Sequence, residues 1–582
     1  MLSSTLSNPA NTSFKKYFQE KKFLKGELLF KQADAPKGCY ILLEGTVDGL
    51  VEDNELGRKT YLANAFSDTN VLGIQELMNN NNRYFSAVCR EDVSCLFLSK
   101  ASFKKMQSDE NAMAQFYQLA LMSICNESGE SGESIAAAEL MGSAIPEVDF
   151  MMSKAVDAHH KMEQFSEAFI DELINDVAIE INNHADELAS QTVLESNMGV
   201  RQHKILKIGL GTIEVAKTLI GQDGIGAISK RENDVQCINT SMGVVFGMIP
   251  ITNPVETILF KFLSCLKSRN AIVVSSHRKG RDVGLKTVQL IQSVLKEHGA
   301  PVDLIQAPQL PASRAVTNAF MSHDDVNFIL ATGGPSMVKS AYTSGTPAIG
   351  VGKGNAPVWI CANSDIKQAA KDVIGSKSFD NGIVCGSENN LLVDKAVLNE
   401  FVEQAQDCGA VLLTDYELQI LLDSVFSSGR LDAQWVGRSA ADICQFLNIE
   451  RDYEIKLILA SVEKDNLDSP LLKEKLAPVL SLSVMDNTQQ ALSLAKNILQ
   501  GEGAGHTAII HCVDDKLVEQ FARAVDVSRI LVNTPGTQGC IGAANGLELS
   551  WTLGCGTQGG GSTSDNVTFR HLMNVKRIAY AQ

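Results

Sequence analysis

The second half of the chain alternates between two kinds of hydrophobic pattern. From Gly243 onward, short apolar runs typical of buried strands alternate with longer segments whose apolar residues recur every three or four positions. The first strand-like runs are residues 244–251 and 271–275, and the first helix-like segments are residues 254–266 and 283–298. Strands that alternate with helices form parallel sheets covered by helices, and ligands bind at the carboxyl ends of such strands. The pattern therefore predicts an α/β fold with a ligand-binding cleft.

Two earlier regions have different patterns. Residues 23–106 resemble short β segments broken by turns, whereas residues 146–219 have the apolar spacing of helices. Between them, residues 126–133 are polar and glycine-spaced, which is typical of an exposed linker. Because a chain of 582 residues is too long for a single core, we expect several domains.

The composition argues against several classes of protein. Hydrophobic residues make up 45% of the chain, which is enough to bury a core, and the formal net charge of -17 opposes binding to nucleic acid. The sequence contains no run of about 18 apolar residues, so we expect no contact with a membrane. We expect the protein to be cytoplasmic. The 13 cysteines form no C-x-x-C pair, so we expect neither a disulfide framework nor a bound metal.

One cysteine has a distinctive local sequence. Cys385 lies between the polar turn 378–381 and a glycine, and the apolar segment 391–393 follows. A thiol at the edge of a loop is accessible to substrates, and a thiolate is a strong nucleophile toward carbonyl carbon. Taken alone, such a cysteine is more often a small buried hydrophobic residue.

Three further segments favour the interpretation of Cys385 as a nucleophile. They are residues 241–254, 331–338 and 350–355. Together with Cys385, and in this order, they resemble the CoA-acylating aldehyde dehydrogenases, as found in the aldehyde half of bifunctional aldehyde/alcohol dehydrogenases. The resemblance extends from about Val148 to the C-terminus. It implies an α/β aldehyde dehydrogenase fold with a Rossmann-like cofactor domain and a catalytic α/β domain.

The resemblance implies roles for individual residues. Cys385 is the nucleophile, and Asn253 together with the backbone N–H of Cys385 stabilises the oxyanion, where one donor is worth roughly 3 kcal/mol. His506, in a glycine-rich segment, positions the acyl group or transfers a proton; alternatively, it only caps the strand that follows. Cys555, in the glycine-rich run 553–562, is the rival thiol.

A dinucleotide site is indicated by the turn Thr332-Gly333-Gly334. This turn follows an apolar run and leaves backbone N–H groups at the start of a predicted helix that begins at Pro335. A helix N-terminus favours an anion such as a pyrophosphate, although a tight turn without a ligand is the alternative.

Other cofactor contacts follow from the resemblance. They are Ser275, His277, Gly352 and Gly354. Residues 273–279 contain no carboxylate that could bind two ribose hydroxyls, and the basic residues that begin at His277 could accept a 2′-phosphate. Since the resembled family mostly uses NAD, we expect NAD and leave NADP open.

A missing carboxylate indicates the acyl acceptor. Hydrolytic aldehyde dehydrogenases carry a glutamate in the loop that matches residues 350–355, where it activates water. No carboxylate occurs here from Gly345 to Cys361, so we expect no acid beside the thiol to activate water. CoA then becomes the acceptor, and the expected reaction is aldehyde + CoA + NAD⁺ to acyl-CoA + NADH, reversibly, with a short aldehyde such as acetaldehyde.

The N-terminal region resembles a cyclic nucleotide-binding domain. The segments that carry this resemblance are residues 25–30, 40–47 and 71–83. Arg83 stands at the position of the phosphate-binding arginine, after the cassette glycine Gly73. Ile74 replaces the ribose-binding glutamate, and Tyr84 and Phe85 replace small residues, which argues against tight binding of cyclic AMP. The domain either binds a cyclic nucleotide or serves as an interaction module.

These interpretations predict a multidomain chain. We expect a β-roll at 14–125, a linker at 126–147, a cofactor-binding domain at 148–356 to which residues 541–582 return, and a catalytic thiol domain at 357–540. The resemblance also implies a homodimer or a higher homo-oligomer. Two rival functions remain: a non-acylating, hydrolytic aldehyde dehydrogenase, and a signalling or scaffold protein whose dehydrogenase fold is inert.

Overall fold

The computed structural model divides the chain into two compact units, Met1–Glu147 and Val148–Gln582. The residues that it describes are 14–53, 58–61, 71–73, 77, 83, 86–109, 112–113, 116, 146–308 and 313–581. The predictions made for Ile74, Tyr84, Phe85 and residues 126–145 lie outside this set.

The first unit contains two antiparallel sheets followed by a helix. Its strands are β1 (Gln19–Phe23), β2 (Leu28–Phe30), β3 (Gly38–Glu44), β4 (Val47–Asp53), β5 (Arg58–Tyr61), β6 (Val71–Leu72), β7 (Ser86–Cys89) and β8 (Val93–Ser99). The sheet orders are β1-β8-β3-β6 and β2-β7-β4-β5. Helix α1 (Lys100–Met106) begins after Ser99, whose side chain accepts a hydrogen bond from the Ser102 N–H, as N-cap residues do. A 3₁₀ turn, Lys15–Tyr17, precedes β1.

The core of this unit follows from the alternation of side chains along β3. Tyr40 and Leu42 pack in one hydrophobic cluster with residues of the second sheet such as Phe30. Ile41 lies in a separate cluster with Met106 of α1. Because successive side chains of a strand point to opposite faces, this strand is apolar on both faces and covered on both. The prediction of a β-rich N-terminal domain is confirmed.

The second unit begins with helices, as predicted for residues 146–219. They are α2 (Pro146–Met162), α3 (Glu167–Asn183), α4 (Ala185–Ser196), α5 (Arg201–Gly209) and α6 (Val215–Leu219), with a π-helical turn at Leu210–Glu214 between the last two. Strand β9 (Val235–Ser241) follows.

A five-stranded parallel sheet comes next. Its strands are β10 (Val244–Ile249), β11 (Ala271–Ser276), β12 (Ile305–Gln306), β13 (Val326–Thr332) and β14 (Ala348–Val351). Its helices are α7 (Pro254–Lys267), α8 (Arg281–Glu297), α9 (Arg314–Met321) and α10 (Pro335–Thr343), with 3₁₀ turns at Arg278–Gly280 and Val302–Leu304. The strand order is β12-β11-β10-β13-β14, which is 3-2-1-4-5 in chain order. The order therefore reverses between β10 and β13, where open α/β sheets bind their ligands.

A seven-stranded parallel sheet completes the unit. Its strands are β15 (Ala356–Ile360), β16 (Glu388–Asp394), β17 (Ala410–Leu412), β18 (Leu457–Ser461), β19 (Val479–Met485), β20 (Gly505–His511) and β21 (Val527–Val532). Its helices are α11 (Ile366–Ser378), α12 (Leu398–Asp407), α13 (Asp415–Val425), α14 (Ala440–Phe446), α15 (Thr488–Gly501), α16 (Asp515–Ala524) and α17 (Gly536–Cys540). Short 3₁₀ turns lie at Phe379–Gly382, Lys395–Val397, Ala433–Trp435, Pro470–Leu472, Thr557–Gly559 and Phe569–Leu572. The strand order is β17-β18-β19-β16-β15-β20-β21.

The last strand of the five-stranded sheet is connected to the first strand of the seven-stranded sheet by the four residues 352–355. Strand β14 ends at Val351 and β15 begins at Ala356, so the carboxyl edge of the first sheet leads directly to the amino edge of the second. The final strand, β22 (Met573–Ala579), pairs antiparallel with β9. The prediction of parallel sheets flanked by helices is confirmed. Within the described ranges, no helix combines the length and hydrophobicity needed to cross a membrane.

Candidate active site

The amino edge of the seven-stranded sheet brings several predicted site residues together. Cys385 lies in the turn before β16, residues 352–355 precede β15, and His506 is the second residue of β20. These three strands are neighbours in the order β16-β15-β20. Since neighbouring parallel strands begin at the same edge of a sheet, the three segments converge although they are far apart in the sequence.

Two glycines allow the backbone around Cys385 to pack closely. A Cβ atom on Gly354 would lie 2.7 Å from the carbonyl carbon of Cys385, and one on Gly386 would lie 2.6 Å from the Cβ of Cys540. The same Cβ on Gly386 would lie 3.5 Å from Cε1 of His506. Both positions therefore need glycine, and the thiol turn lies between the 352–355 loop and His506.

The Cys385 side chain is partly exposed and neutral. Burial raises the pKa of its thiol to about 12, and the carboxylate of Glu474 and the thiol of Cys555 contribute in the same direction. The guanidinium of Arg529 acts in the opposite direction. At neutral pH the sulfur is therefore a thiol, so a nucleophilic role needs a group that removes its proton.

Glu474 is a carboxylate that the sequence did not indicate. It lies shortly before β19, which neighbours β16, and its Oε1 accepts a hydrogen bond from the Gly354 N–H at 3.1 Å. Burial raises the pKa of Glu474 to about 7, whereas the ammonium of Lys353 acts to lower it. The expectation that no acid lies beside the thiol is wrong, because this residue comes from a different segment than the loop that lacks a carboxylate.

An ion pair fixes the backbone around Glu474. Nζ of Lys353 lies 2.7 Å from Oε1 of Glu502, and Oε2 of Glu502 accepts a hydrogen bond of 2.7 Å from the Glu474 N–H. The 352–355 loop and the segment before β19 are thus linked through Glu502 as well as through Gly354.

His506 is fully buried beside the thiol turn. Its Nδ1 lies 2.9 Å from Oγ1 of Thr507, and its Nε2 has no hydrogen-bond partner among the described residues. Burial, assisted by the charge of Arg529, lowers the pKa of His506 to about 3. The ring is therefore neutral at physiological pH and leaves one nitrogen for a ligand.

Arg529 lies near three thiols, those of Cys385, Cys540 and Cys555, which all act on its pKa. Its guanidinium donates to Oδ1 of Asn566 at 3.0 Å and to the Gly554 carbonyl at 2.6 Å. It thereby anchors the glycine-rich segment near the C-terminus and supplies a buried positive charge.

Cys555, the rival thiol, is less suited to be the nucleophile. It is 0% exposed, its sulfur accepts a hydrogen bond from the Gly352 N–H, and its S–H donates to the Leu553 carbonyl at 3.4 Å. Burial raises the pKa of Cys555. Both contacts of this buried thiol are thus supplied by the backbone, and Cys385 is the more accessible of the two.

Asn253 lies at the carboxyl end of the β10 segment, as the residue before helix α7. Its Oδ1 accepts a hydrogen bond from Nζ of Lys207, and its Nδ2 lies 3.1 Å from Oγ1 of Thr252. Because the ammonium of Lys207 can only donate, it fixes the carbonyl end of the amide, and the amino end is left as the donor. This orientation suits a residue that stabilises an oxyanion.

A buried ion network connects Asn253 to the thiol turn. Asp380, in the 3₁₀ turn just before Cys385, pairs with Lys207 and lies 3.0 Å from Nζ of Lys204. Burial opposes ionisation of Asp380, but the two lysines outweigh it and lower the pKa of this carboxyl. The sequence did not indicate these charged residues, since lysines on a helix usually lie in solvent.

The carboxyl edge of the five-stranded sheet has the features of a dinucleotide site. Oγ of Ser276 and Oγ1 of Thr332 are buried and have no hydrogen-bond partner among the described residues. A shallow cleft lies beside Ser276, lined by Val274, Ser275, Ser276, Arg281, Leu285, Ala307, Pro308 and Val316. A largely apolar lining with serines at the end of a strand is compatible with an adenosine, so the residues present fit a dinucleotide.

The turn after β13 lies at the point where the strand order reverses. Helix α10 begins at Pro335 after the extended residue Gly334, and a Cβ atom on Gly334 would meet nothing within 4 Å. The turn is thus open at the helix N-terminus, as a pyrophosphate requires. His277, at the end of β11, accepts a hydrogen bond from the Lys279 N–H at 3.2 Å.

The glycines of the 352–355 loop lie on the thiol side. The N–H of Gly352 donates to Cys555 and the N–H of Gly354 donates to Glu474. Any contact of these two glycines with a cofactor would therefore come from close approach of the backbone, not from these N–H groups.

In the N-terminal unit, Arg83 and Gly73 are in contact. The Arg83 guanidinium donates to the carbonyl of Gly73 at 2.7 Å and to that of Gly38, and it stacks on the ring of Phe30 at 4.3 Å. Arg83 is 3% exposed. The two residues predicted to bind a cyclic phosphate thus lie together, with N–H groups of the arginine donated to backbone carbonyls.

Comparison with known proteins extends these observations. The family model described as the aldehyde dehydrogenase family matches residues 122–412, and the model described as the cyclic nucleotide-binding domain matches residues 20–110. The chain is 34% identical over 441 residues to the bifunctional aldehyde-alcohol dehydrogenase of Escherichia coli (strain K12). The aligned residues make up 75% of this chain and 49% of that protein. The chain thus spans about half the length of that relative.

Other similar proteins are matched over almost their whole length. The chain is 33% identical to a succinate-semialdehyde dehydrogenase (acetylating) of Clostridium kluyveri, over 74% of this chain and 95% of that protein. The crystal structure of an acetylating aldehyde dehydrogenase from Geobacillus thermoglucosidasius matches with a TM-score of 0.73 and 36% identity, over 75% of this chain and 96% of that one. A propionaldehyde dehydrogenase from Rhodopseudomonas palustris with bound CoA and an acylated cysteine matches with a TM-score of 0.68 and 26% identity, over 74% and 97%.

Proposed function

Because the chain belongs to the aldehyde dehydrogenase family, we propose that it is a CoA-acylating aldehyde dehydrogenase. The reaction is aldehyde + CoA + NAD(P)⁺ to acyl-CoA + NAD(P)H, in either direction, with a short aldehyde such as acetaldehyde as the substrate. The observation that carries the proposal is the position of Cys385. This partly exposed thiol lies where the carboxyl edge of the dinucleotide-type sheet leads into the amino edge of the second sheet. The acetylating relatives support CoA as the acyl acceptor.

The protein side of the mechanism uses Cys385 and Asn253. The sulfur adds to the aldehyde carbon, and the oxyanion that forms accepts hydrogen bonds from Nδ2 of Asn253 and from the Cys385 N–H, where one such donor is worth about 3 kcal/mol. When a dinucleotide is bound, its nicotinamide ring accepts a hydride. The acyl group then remains on Cys385 as a thioester until the thiol of CoA takes it.

The proposed cofactor is NAD, with NADP as an alternative. Support comes from the buried unpaired hydroxyls of Ser276 and Thr332 and from the cleft beside Ser276. The residues that we assign to cofactor binding are Ser275, His277, Thr332, Gly333, Gly334, Pro335, Gly352 and Gly354.

We assign His506 to positioning the acyl group. Its pKa of about 3 leaves the ring neutral, so it cannot donate a proton from a charged form near pH 7. Its unpaired Nε2 can still form one hydrogen bond to a bound substrate.

The finer arrangement of the chain is part of the proposal. We assign cofactor binding to residues 148–356 with 541–582, the thiol domain to 357–540, a linker to 126–147, and a regulatory cyclic nucleotide-binding-like domain to 14–125. A homodimer or higher oligomer is supported by the β9–β22 ribbon, whose second strand exposes apolar side chains such as Val575 and Ile578. A cytoplasmic location is supported by the twelve described cysteines, all of which are free.

The presence of Glu474 favours one second candidate. A carboxylate near the thiol could activate water, which would make the enzyme a hydrolytic aldehyde dehydrogenase. The two candidates differ in their dependence on CoA, so one assay separates them.

The experiment measures NAD(P)H formation from acetaldehyde with and without CoA, for the full chain and for two alanine variants. We expect steady turnover only with CoA, a loss of at least about a thousandfold in Cys385→Ala, and wild-type activity in Cys408→Ala, which removes another partly exposed thiol of the same domain. Equal rates without CoA would establish the hydrolytic candidate instead. Turnover that survives in Cys385→Ala would refute the assignment of the nucleophile.

A further inference from the structure

The side chain of Asn253 is held in an unusual way for a residue that precedes a helix. An asparagine in this position normally accepts a hydrogen bond from the backbone of the first helical turn. Asn253 makes no such bond to helix α7. Its Oδ1 accepts instead from Nζ of Lys207, a residue of helix α5. The amide is therefore oriented by a different helix from the one that it precedes.

The ammonium group of Lys207 is used in full by three acceptors. Besides Oδ1 of Asn253, these are the carboxylate of Asp380 and, at 3.4 Å, the carbonyl of Thr252. An ammonium group has three N–H donors and no acceptor. Because Lys207 is only 4% exposed, these bonds form away from bulk water. The lysine thus holds the carbonyl end of the amide and cannot bind its amino end.

The amino end of Asn253 is fixed as well. One N–H of Nδ2 donates to Oγ1 of Thr252 at 3.1 Å, and an amide nitrogen carries a second N–H. Hydrogen bonds in a chain polarise one another, most of all when one donor is charged. The bond from Lys207 therefore makes the second N–H of Asn253 a stronger donor.

The buried charges around Lys207 do not cancel. Burial opposes the charge of Lys207, but Asp380 and Glu256 outweigh it and raise its pKa, so the side chain is charged at neutral pH. Oε1 of Glu256 lies 3.9 Å from Nζ of Lys207 and has no hydrogen-bond partner among the described residues. Burial raises the pKa of Glu256, so this carboxyl offsets less positive charge than Asp380 does. With Lys204 as a second ammonium group, positive charge remains behind Asn253.

The turn before Cys385 has a strained backbone that helix α5 holds in place. Asp380 and Asn381 have φ angles of 50° and 55°, in the left-handed region that few residues other than glycine adopt. Oδ1 of Asp380 accepts a hydrogen bond of 2.8 Å from the Val200 N–H, and the Asp380 N–H donates to Nδ1 of His203 at 2.9 Å. The side chain and the backbone of Asp380 are thus both fixed to the beginning of α5.

Lys207 therefore links the two proposed oxyanion donors. Its Nζ binds Asp380, which holds the turn that precedes Cys385, and the same Nζ binds the amide of Asn253. An oxyanion site is effective when its donors are already in position before the charge develops. One ammonium group contributes to that arrangement for both donors.

From these contacts we propose that Lys207 is a positioning residue of the oxyanion site and acts on the substrate through the side chain of Asn253. The inference rests on the proposed function, since it deepens the account of the same site. Lys207 keeps its proton throughout. It holds the amide so that Nδ2 donates first to the oxyanion formed when Cys385 adds to the aldehyde, and then to the one formed when CoA attacks the acyl group.

The test is the substitution Lys207→Met, which removes the charge and the donors but leaves Asp380 paired with Lys204 at 3.0 Å. The matched control is Lys204→Met. Lys204 is an equally buried lysine of the same helix that also pairs with Asp380, but it donates to the Thr252 carbonyl in place of the Asn253 side chain. Both substitutions are made in the full chain, alone and together with Asn253→Ala.

Two rates are measured for each variant. The first is kcat for NADH formation from acetaldehyde with saturating CoA and NAD⁺. The second is the rate at which iodoacetamide alkylates Cys385, followed by mass spectrometry. Alkylation needs the same sulfur but forms no oxyanion, so it reports damage to the thiol turn separately from loss of the oxyanion site.

We expect Asn253→Ala to lower kcat about 100-fold and Lys207→Met to lower it about 30-fold. Lys207→Met combined with Asn253→Ala should be no more than about threefold slower than Asn253→Ala alone, because the lysine acts through that amide. Lys204→Met should stay within about threefold of the wild type. Alkylation of Cys385 should change less than about threefold in every variant.

If Lys207→Met does not fold, Lys207→Arg takes its place. The guanidinium keeps a positive charge beside Asp380 but places its donors differently from an ammonium group. A smaller fall in kcat, about fivefold or more, should again disappear when Asn253→Ala is added.

Three results would overturn the inference. They are a kcat of Lys207→Met within threefold of the wild type, effects of Lys207→Met and Asn253→Ala that multiply, and an equal fall in Lys204→Met or in the alkylation rate. If the wild type shows no CoA-dependent NADH formation, the proposed function fails as well. If the wild type is active and only the pattern of the variants differs, this inference alone fails.

Discussion

Gly354 offers a sharp test of how closely the loop before β15 packs on the nucleophile. In Gly354→Ala the added Cβ would lie 2.7 Å from the carbonyl carbon of Cys385 and 3.4 Å from its Cα. Both are backbone atoms, so no flexible side chain can rotate away to make room. The backbone conformation of Gly354 is not a left-handed one, so the effect would come from contact alone.

The size of the effect follows from the overlap. Carbon atoms in contact normally lie 3.5–4.0 Å apart, and the added Cβ would overlap the Cys385 carbonyl oxygen even more than the carbonyl carbon, so the thiol turn and the loop must separate by more than about 1 Å. Such a displacement of a reacting group costs roughly 100-fold in rate, and overpacking of this kind costs about 1–3 kcal/mol of unfolding free energy. The 3.1 Å hydrogen bond from the Gly354 N–H to Glu474 would be disturbed by the same movement.

The assay is kcat/KM for the aldehyde in NADH formation with saturating CoA, together with the free energy of unfolding in urea. The control is Gly375→Ala in helix α11, where an added Cβ would meet nothing within 4 Å. Alanine there should stabilise the helix by up to about 1 kcal/mol and leave activity unchanged. If Gly354→Ala retained activity within threefold of the wild type, the close packing described here would be refuted.

Three further predictions follow. Burial lowers the pKa of His506 to about 3 and that of His511 to about 4, below the unfolded value near 6.5, so stability is fully present above about pH 6.5 and is lost as the pH falls. At pH 5.5 each histidine should lower the free energy of unfolding, measured in urea, by about 1.4 kcal/mol relative to its value at pH 7.5. His511→Gln should weaken this pH dependence, and a free energy of unfolding that does not change with pH would contradict the prediction. Arg278→Ala should raise the KM for NADP more than the KM for NAD, whereas equal changes would exclude a 2′-phosphate contact at this residue. Calorimetry of the full chain with cyclic AMP and cyclic GMP should show no heat at micromolar concentrations, because Arg83 donates to backbone carbonyls including that of Gly73; strong heat would contradict this.

The sequence predicted the alternation of strands and helices in the second unit because these strands are buried on both faces. Strands such as β10 and β15 are uniformly buried, so they appear as continuous apolar runs that are easily distinguished from helices. The strand orders could not be predicted in the same way. They depend on which strands pair over long distances, and no local pattern encodes that choice.

The candidate site was predictable in its local parts only. Cys385, Gly354 and His506 occur in short segments that resemble those of a family. Glu474 lies between two lysines, a pattern that usually indicates a solvated surface, and its role depends on a contact with a residue 120 positions away.

The buried ion network around Asp380 could not be predicted for the same reason. Lys204 and Lys207 lie on a helix, where their spacing gives no sign that Asp380 neutralises them. Burial of a charge is favourable only with its partner, so it can be recognised only in the folded chain.

The most direct test of the account is to identify the acylated residue. The full chain is incubated with acetaldehyde and NAD⁺ without CoA, quenched in acid, digested, and mapped by mass spectrometry before and after addition of CoA. We expect an acetyl group on the peptide that contains Cys385, and its disappearance with formation of acetyl-CoA when CoA is added. Acetylation of Cys555 or Cys540 instead, or release of free acetate at the same rate without CoA, would contradict the account.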